Sequence, residues 1–258
     1  MSSKTIVVIT GANTGIGLEA VKAFLGASNP YHIFMGARSP EKLDAAIQSL
    51  GDTGKHTIVP FQLDLFSDDS INEAYAKISA QVDYIDVLIN NAGAATNLPP
   101  SREVLMQDFN VNVAGTYAVT DIFLPLLIKS SAPRLLFLTS GLSSLEEAGQ
   151  STSPRYMIPP AGWPKSKDTP QFLCYRVSKA ALNMVMIDFQ RILKNDNVKV
   201  WCISPGMLAT NLGGNPELLK KLGAEDPAVG GIFIKDVVEG ARDGDTGKVI
   251  QRGKIQPW

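Results

Sequence analysis

The chain is poor in cysteine, in net charge and in long apolar runs, and each shortage excludes something. Cys174 and Cys202 are the only cysteines among 258 residues, too few for the disulfide framework of a small secreted domain. A reducing, cytoplasmic setting is expected. The formal net charge is −1, from 24 basic and 25 acidic residues, so there is no surplus of cations to neutralise a phosphate backbone. Nucleic acid is not an expected partner. No stretch reaches the roughly eighteen apolar residues of a membrane span. Met1 to Lys4 leads straight into Thr5-Ile-Val-Val-Ile-Thr10, too short for the apolar region of a secretory leader. No internal repeat, linker or low-complexity tail is evident.

What is present is a supply of apolar residues, 45% of the chain, enough for one substantial core; residues 1–258 read as a single domain. Short β-branched runs alternate with longer segments of helical period, the pattern of repeated βα units around a mostly parallel sheet. Strands are expected at Ile6–Thr10, His32–Ala37, His56–Gln62, Val87–Asn91, Arg134–Ser140, Lys199–Ser204 and Lys248–Gln251. Seven strands in a doubly wound α/β fold with helices on both faces is the expectation. Helices are expected over Gly15–Ala27, Pro40–Leu50, Ser67–Gln81, Ser101–Lys129 (as two), Phe172–Asn195 and Pro227–Ala241. Leu142–Gln171, with prolines at 154, 159, 160, 164 and 170, and Gly206–Asp226 read as loops. Both follow the C-terminal ends of strands, where open α/β sheets place their ligands.

The first strand ends in Thr10-Gly11-Ala12-Asn13-Thr14-Gly15-Ile16-Gly17, with a helical pattern immediately after it. Glycines let the backbone approach a pyrophosphate, and free N–H groups at a helix start meet its charge. The spacing Gly-x-x-x-Gly-x-Gly resembles the first turn of the short-chain dehydrogenase/reductase family, whose Rossmann-type fold binds a nicotinamide dinucleotide. The resemblance runs from about Thr5 to the C-terminus. It implies cofactor contacts at Gly11, Asn13, Thr14, Gly15, Ile16 and Gly17.

Tyr175-Arg176-Val177-Ser178-Lys179 opens a long helical run. Residues four apart share a helix face, so phenol and ammonium point into the same space. An adjacent cation favours phenolate, which is expected to bring the phenol down towards the range useful for acid–base work. An isolated Tyr-x-x-x-Lys is common on any amphipathic helix; the glycine turn and Asn90-Asn91-Ala92-Gly93 give this one its weight. The family resemblance implies four catalytic positions: Asn112, Ser140, Tyr175 and Lys179. Ser140 would orient the substrate carbonyl, with Ser143 and Ser144 as neighbouring competitors. Asn112 would interrupt a helix and hold a water beside Lys179.

The resemblance further implies that Asn91, Ala92 and Gly93 border the cofactor while Asn90 holds backbone groups, and that Asp64-Leu65 receives the adenine ring. Pro205, Gly206 and Thr210 would hold the nicotinamide carboxamide, with Tyr175 and Lys179 also in contact. Met207 falls on the substrate side. At the end of the second strand Ala37 stands where an acid would bind the ribose 2′-hydroxyl of NAD, and Arg38-Ser39 follows. An arginine fork suits a 2′-phosphate, so NADP(H) is the expected cofactor. Asn13 and Thr14 depart from relatives that carry a basic residue inside the turn.

Residues 142–171 read as an insertion resembling that of the family's carbonyl reductases, as does the ending Gln256-Pro257-Trp258. Tyr156, Met157, Ile158 and Trp163 within it suit a wall for a flat or hydrophobic ketone and equally a block to oligomerisation through the neighbouring helix face; on the first reading Trp163 joins Ser140, Tyr175 and Met207 as an expected substrate contact. No metal is expected. The implied activity is NADPH-dependent reduction of a ketone or aldehyde to an alcohol. Alternatives are an alcohol dehydrogenase, an imine or double-bond reductase, or an NADP(H)-binding regulator with little turnover. A homo-oligomer is compatible with the resemblance.

Overall fold

A computed structural model describes residues 4–153, 156, 158–165 and 172–258. The strands are β1 (Thr5–Ile9), β2 (Tyr31–Ala37), β3 (Thr57–Gln62), β4 (Val87–Asn90), β5 (Arg134–Leu138), β6 (Lys199–Ile203) and β7 (Val249–Ile250). They form one sheet in the order β3-β2-β1-β4-β5-β6-β7, and each of its six pairings is parallel. The helices are α1 (Gly15–Leu25), α2 (Pro40–Leu50), α3 (Asp68–Ser79), α4 (Arg102–Phe109), α5 (Thr116–Leu127), α6 (Leu145–Gly149), α7 (Leu173–Ile192), α8 (Pro216–Lys221) and α9 (Pro227–Val238).

Alternation along the strands sets the layers. In β1, Val8 faces a core shared with Ile78 of α3, Phe123 of α5 and Met186 of α7. Its neighbours Val7 and Ile9 face a second core with Phe24 of α1, Leu43 of α2 and Ile234 of α9. Three helices therefore cover each face, as a buried parallel sheet requires. Where helices must approach most closely, small residues permit it: a Cβ on Gly231 of α9 would lie 2.3 Å from the Glu19 carbonyl carbon of α1. Side chains supply several starts, with Ser39, Ser67 and Ser101 accepting from Lys42, Ser70 and Val104 amides.

The structure corrects the sequence reading in three places. The two segments expected to be loops carry short helices, α6 in the first and α8 in the second, besides single 3-10 turns at Gly141–Ser143 and Asn211–Gly213. Ser144 and Asn215 cap α6 and α8, local signals that the density of proline, glycine and charge concealed. Strand β5 stops at Leu138, so Ser140 lies beyond the strand and caps a 3-10 turn. The two helices expected within Ser101–Lys129 are present, but a π-helical turn, Asn110–Gly115, joins them without a break. Pro154, Met157 and Pro170 lie outside the described residues.

Candidate active site

Reversal of strand order between β1 and β4 opens a cleft at the C-terminal edge of the sheet. Its volume is about 790 Å³. One end is made largely of backbone. Gly11 and Gly15 sit at φ +63° and +55°, the left-handed region that glycine enters without steric cost, and Asn13, Thr14 and Ile16 complete that wall. Thr14 precedes α1 without capping it through its side chain, so the first amides of that helix stay available to an anion. Arg38, exposed at the end of β2, and Asp64 and Leu65 after β3 finish this end.

Two expected cofactor residues do not reach the cleft lining. A Cβ on Gly17 would fall 2.5 Å from both Asn91 Nδ2 and Gly11 O, so this glycine serves packing behind the turn. Ser39 instead caps α2, accepting from the Lys42 amide. Asp64 Oδ1 accepts from the Phe66 amide at 3.1 Å, binding its own turn as well as lining the cleft.

Of the work expected of the two asparagines, the holding of backbone falls to Asn91 and not to Asn90. Asn91 holds the backbone, donating through Nδ2 to the carbonyls of Thr10 (2.8 Å) and Gly11 (2.9 Å). Asn90 reaches a side chain, donating to Thr120 Oγ1 on α5 at 2.9 Å. Thr10 answers from just beyond β1: its hydroxyl oxygen accepts from the amides of Asn91 and Ala92. The turn and the end of β4 are thus tied across 81 residues of sequence. Asn91, Ala92 and Gly93 all line the cleft.

The other end is built from side chains. Tyr175 and Lys179 stand one turn apart on α7, with Nζ 5.8 Å from the phenol ring centroid. Lys179 is buried, and Nζ donates to the Leu138 carbonyl at 2.8 Å. Burial lowers the ammonium to about 8, with Cys202 and Asp108 pulling weakly the other way. Tyr175 moves opposite to expectation: burial pushes its phenol up to about 12, against the lowering effect of a hydrogen bond with Ser140. Desolvation outweighs that hydrogen bond, so the phenol keeps its proton at neutral pH.

Asn112 sits in the π-helical turn, wholly buried. Its Oδ1 accepts from the Ala94 amide (2.8 Å), and Nδ2 donates to Ala94 O (2.7 Å) and Ser178 Oγ (2.9 Å). Both amide protons are used, so the side chain offers a water only the second lone pair of Oδ1. A Cβ on Gly93 would meet that Oδ1 at 3.1 Å and Lys179 Nζ at 3.3 Å; glycine there lets the asparagine and the lysine converge. π-Turns often mark functional sites, and this one directs Asn112 inward.

The structure therefore brings Asn112, Ser140, Tyr175 and Lys179 together. Ser143 and Ser144 serve elsewhere: Ser143 donates to the Ser140 carbonyl at 2.6 Å, and Ser144 caps α6. Pro205, Gly206, Met207 and Thr210 all line the cleft, and Thr210 packs 3.5 Å from where a Gly15 Cβ would stand. Trp163 is not brought there. It is 87% exposed and outside the lining, whereas Phe172 and Leu142 are part of it.

Other participants escaped the sequence reading. Asp108 is completely buried at the end of α4; its Oδ1 accepts from the amide (2.9 Å) and hydroxyl (2.7 Å) of Thr96, which fixes the loop after β4, and its charge raises both Tyr175 and Lys179. Asn183 accepts from Thr139 Oγ1 at 2.7 Å and donates to Ser143 at 3.0 Å. Neither sits in a local motif that would have singled it out.

Comparison with known proteins agrees with this geometry. The family model described as short chain dehydrogenase matches residues 5–152. A short-chain dehydrogenase/reductase, eupG, of a Phoma species is 42% identical over 99% of this chain and 98% of its own. Another, tropE of Talaromyces stipitatus, is 39% identical over 100% and 99%. Among solved structures, an NADPH-bound carbonyl reductase from chicken fatty liver superposes with TM-score 0.79 at 24% identity over the whole of both chains. A Brucella melitensis 3-oxoacyl-[acyl-carrier protein] reductase in complex with NAD gives 0.78 at 18% identity, covering 97% of this chain and 96% of its own. The seven-stranded parallel sheet is that of the Rossmann-type fold shared by these neighbours, and the chain belongs to the short-chain dehydrogenase/reductase family of oxidoreductases.

Proposed function

We propose that this enzyme reduces an uncharged ketone or aldehyde to an alcohol with NADPH. The carrying observation is the segregation of charge along the cleft. Among the described lining residues the formally charged side chains are Arg38, Asp64 and Lys179. The first two stand together at the ends of β2 and β3, while Lys179 stands beside Tyr175. The strand-end basic residue matches a dinucleotide with a 2′-phosphate, and the glycine turn, with uncapped α1 behind it, fits a pyrophosphate. Leu98, Leu142, Phe172, Met207 and Leu212 also line the cleft, and they favour an apolar substrate carrying one carbonyl.

When bound, the dinucleotide supplies the hydride. The protein's own part is to position and to move a proton. Ser140 Oγ donates to the carbonyl oxygen and orients it. Tyr175, protonated at neutral pH, gives its phenolic proton to that oxygen as negative charge develops, so hydride and proton together make the alcohol. Lys179, held by Leu138 O, places positive charge beside the phenol and restrains the phenolate formed. Asn112 fixes Ala94 and Ser178 around the lysine and offers its remaining lone pair to a water that can return a proton.

The test is a panel of neutral aromatic and aliphatic ketones, charged 2-oxo acids and aldehydes, followed by NADPH absorbance. Turnover of neutral carbonyls, faster with NADPH than with NADH, is the expected result. Preference for a charged oxo acid, or for NADH, would overturn the corresponding part of the reading.

A further inference from the structure

We propose that Gln256 is a positioning residue for Ser140, acting through the backbone that follows it. The segment after β7 turns back on itself: Gln251 N donates to Lys254 O (2.8 Å), Ile255 bridges antiparallel to Ile250, and Gln256 N donates to Val249 O (2.8 Å). This carries the Gln256 side chain inward, where it is buried at 2% exposure. Its Nε2 donates to the Ser140 carbonyl (3.2 Å) and to Ser143 Oγ (3.1 Å), and its Oε1 accepts from Gln251 Nε2 (2.9 Å). Both amide protons and one lone pair are engaged.

The partners close a network. Ser143 Oγ donates to the same Ser140 carbonyl (2.6 Å) and accepts from Asn183 Nδ2 of α7 (3.0 Å). Asn183 in turn accepts from Thr139 (2.7 Å), the residue before Ser140. The Ser140 carbonyl therefore accepts three bonds, the third from Ser143 N (3.0 Å), and Thr139 is held both through its amide to Ile203 O (2.8 Å) and through its hydroxyl, which fixes ψ at Ser140 (152°) and with it the direction of the hydroxyl that meets Tyr175. A second attachment lies two residues on, where the Trp258 carbonyl oxygen accepts from Glu146 N (2.6 Å) and Ser144 Oγ (3.1 Å). Because β5 has already ended, Ser140 lies beyond the strand pairing, and the buried amide of Gln256 joins the Ser143 amide and hydroxyl in supplying what a strand would have supplied. Glutamine suits the place chemically. A carboxylate would set acceptors against the Ser140 carbonyl, and a methionine of similar volume would leave that carbonyl with one donor fewer.

The inference rests on the proposed reduction, and its test separates the two. Gln256→Met and Gln256→Glu would be compared with wild type for kcat and KM in reduction and in alcohol oxidation, for NADPH affinity by fluorescence, and for amide hydrogen exchange at Leu142 and Ser143. Misplacing a reacting group by about 1 Å costs up to roughly a hundredfold. The expected result is a fall of tenfold or more in kcat with NADPH affinity within twofold, together with faster exchange at those two amides than at α1. In a Ser140→Ala background, adding Gln256→Met should cost less than twofold, because the hydroxyl it positions is gone. Equal losses in both backgrounds, unchanged kcat in the single variants, or a loss confined to NADPH affinity would overturn the assignment. A wild type without turnover in either direction would sink the carbonyl reading instead, and the exchange measurement would still decide whether Gln256 grips the Ser140 turn: unchanged exchange overturns it.

Discussion

The two ends of the cleft are built by opposite means. At the turn end the working groups are backbone amides and an exposed arginine, and the requirement on sequence is that glycines stand at Gly11 and Gly15, where φ is positive. At the other end the working groups are side chains drawn from β5's extension, the π-turn and α7, all held by buried polar partners far away in the chain. Backbone sites can remain wet and cost little in stability. A buried lysine whose hydrogen-bond partner is a neutral carbonyl costs a good deal. Instability should therefore concentrate at the chemical end, and substitutions at the two ends should differ in kind.

The largest effect is expected from Tyr175→Phe, which keeps the ring and removes the proton. Carbonyl reduction should fall by about two to four decades, the usual cost of losing general acid catalysis. NADPH should still raise the melting temperature, since a ligand bound by the folded form stabilises it by mass action. A variant that reduces a good substrate at the wild-type rate would show that another group supplies the proton.

Lys179→Met tests the asymmetry directly. Burial holds the ammonium at about 8 in place of its ordinary 10.5, so below pH 8 the folded state carries a charge that the unfolded chain solvates better. The sign follows: through this group stability rises with pH between about 8 and 10.5, where the unfolded chain binds more protons. A displacement of this size corresponds to roughly 3 kcal/mol at neutral pH. Lys179→Met should lose at least tenfold in activity yet gain about 1–3 kcal/mol in stability at pH 7, and it should flatten that rise with pH. Chemical denaturation at pH 7 and pH 10 measures both. A destabilised variant with an unchanged pH slope would remove the contrast between the ends.

The same contrast explains what was legible in the sequence. The turn was read from eight consecutive residues, because backbone sites announce themselves through glycine spacing. The strands were read from short β-branched runs between segments of helical period, and the helices expected on both faces are there, with Val7, Val8 and Ile9 divided between two cores. The candidate side chains were found only through resemblance to a family, and their supports were not found. Gln256 lies 116 residues from Ser140, and Asn183 lies 44 from Thr139; no periodicity links such pairs. Asn91 lines the cleft as expected but also holds the backbone, the work expected of Asn90, because adjacent residues at a strand end point to opposite faces and composition does not say which face is which. The phenol was expected to be lowered because a neighbouring charge is visible in a helical repeat, whereas burial is not.

Arg38→Ala carries the next effect, at the turn end. A charge-assisted hydrogen bond is worth roughly 1.5–3 kcal/mol, so NADPH affinity should fall by one to two decades while NADH affinity stays within about twofold. Stability should barely move, since the side chain is exposed. Equal losses for both cofactors would mean that Arg38 contacts what they share, and wild-type preference for NADH would place the selectivity elsewhere in the turn.

The smallest effect is expected from Trp163→Ala. Its aromatic and proline-rich surroundings suit a pocket wall in composition, but the residue stands 87% exposed and away from the cleft, while Phe172, at the start of α7, lines it beside Leu142. Burying a large side chain against a ligand is worth about 1.5–3 kcal/mol. Phe172 is half exposed on the cleft wall, surface that an apolar ketone can cover. Phe172→Ala should therefore raise KM for bulky apolar ketones by about tenfold, with less change for small ones and none in NADPH affinity. Trp163→Ala should leave kcat and KM within twofold and stability within about 0.5 kcal/mol. Steady-state kinetics with ketones of increasing size separate the two residues. A severalfold rise in KM for Trp163→Ala, growing with ketone size as for Phe172→Ala, would show that the segment at 158–165 lies over the occupied cleft and shares in forming its wall.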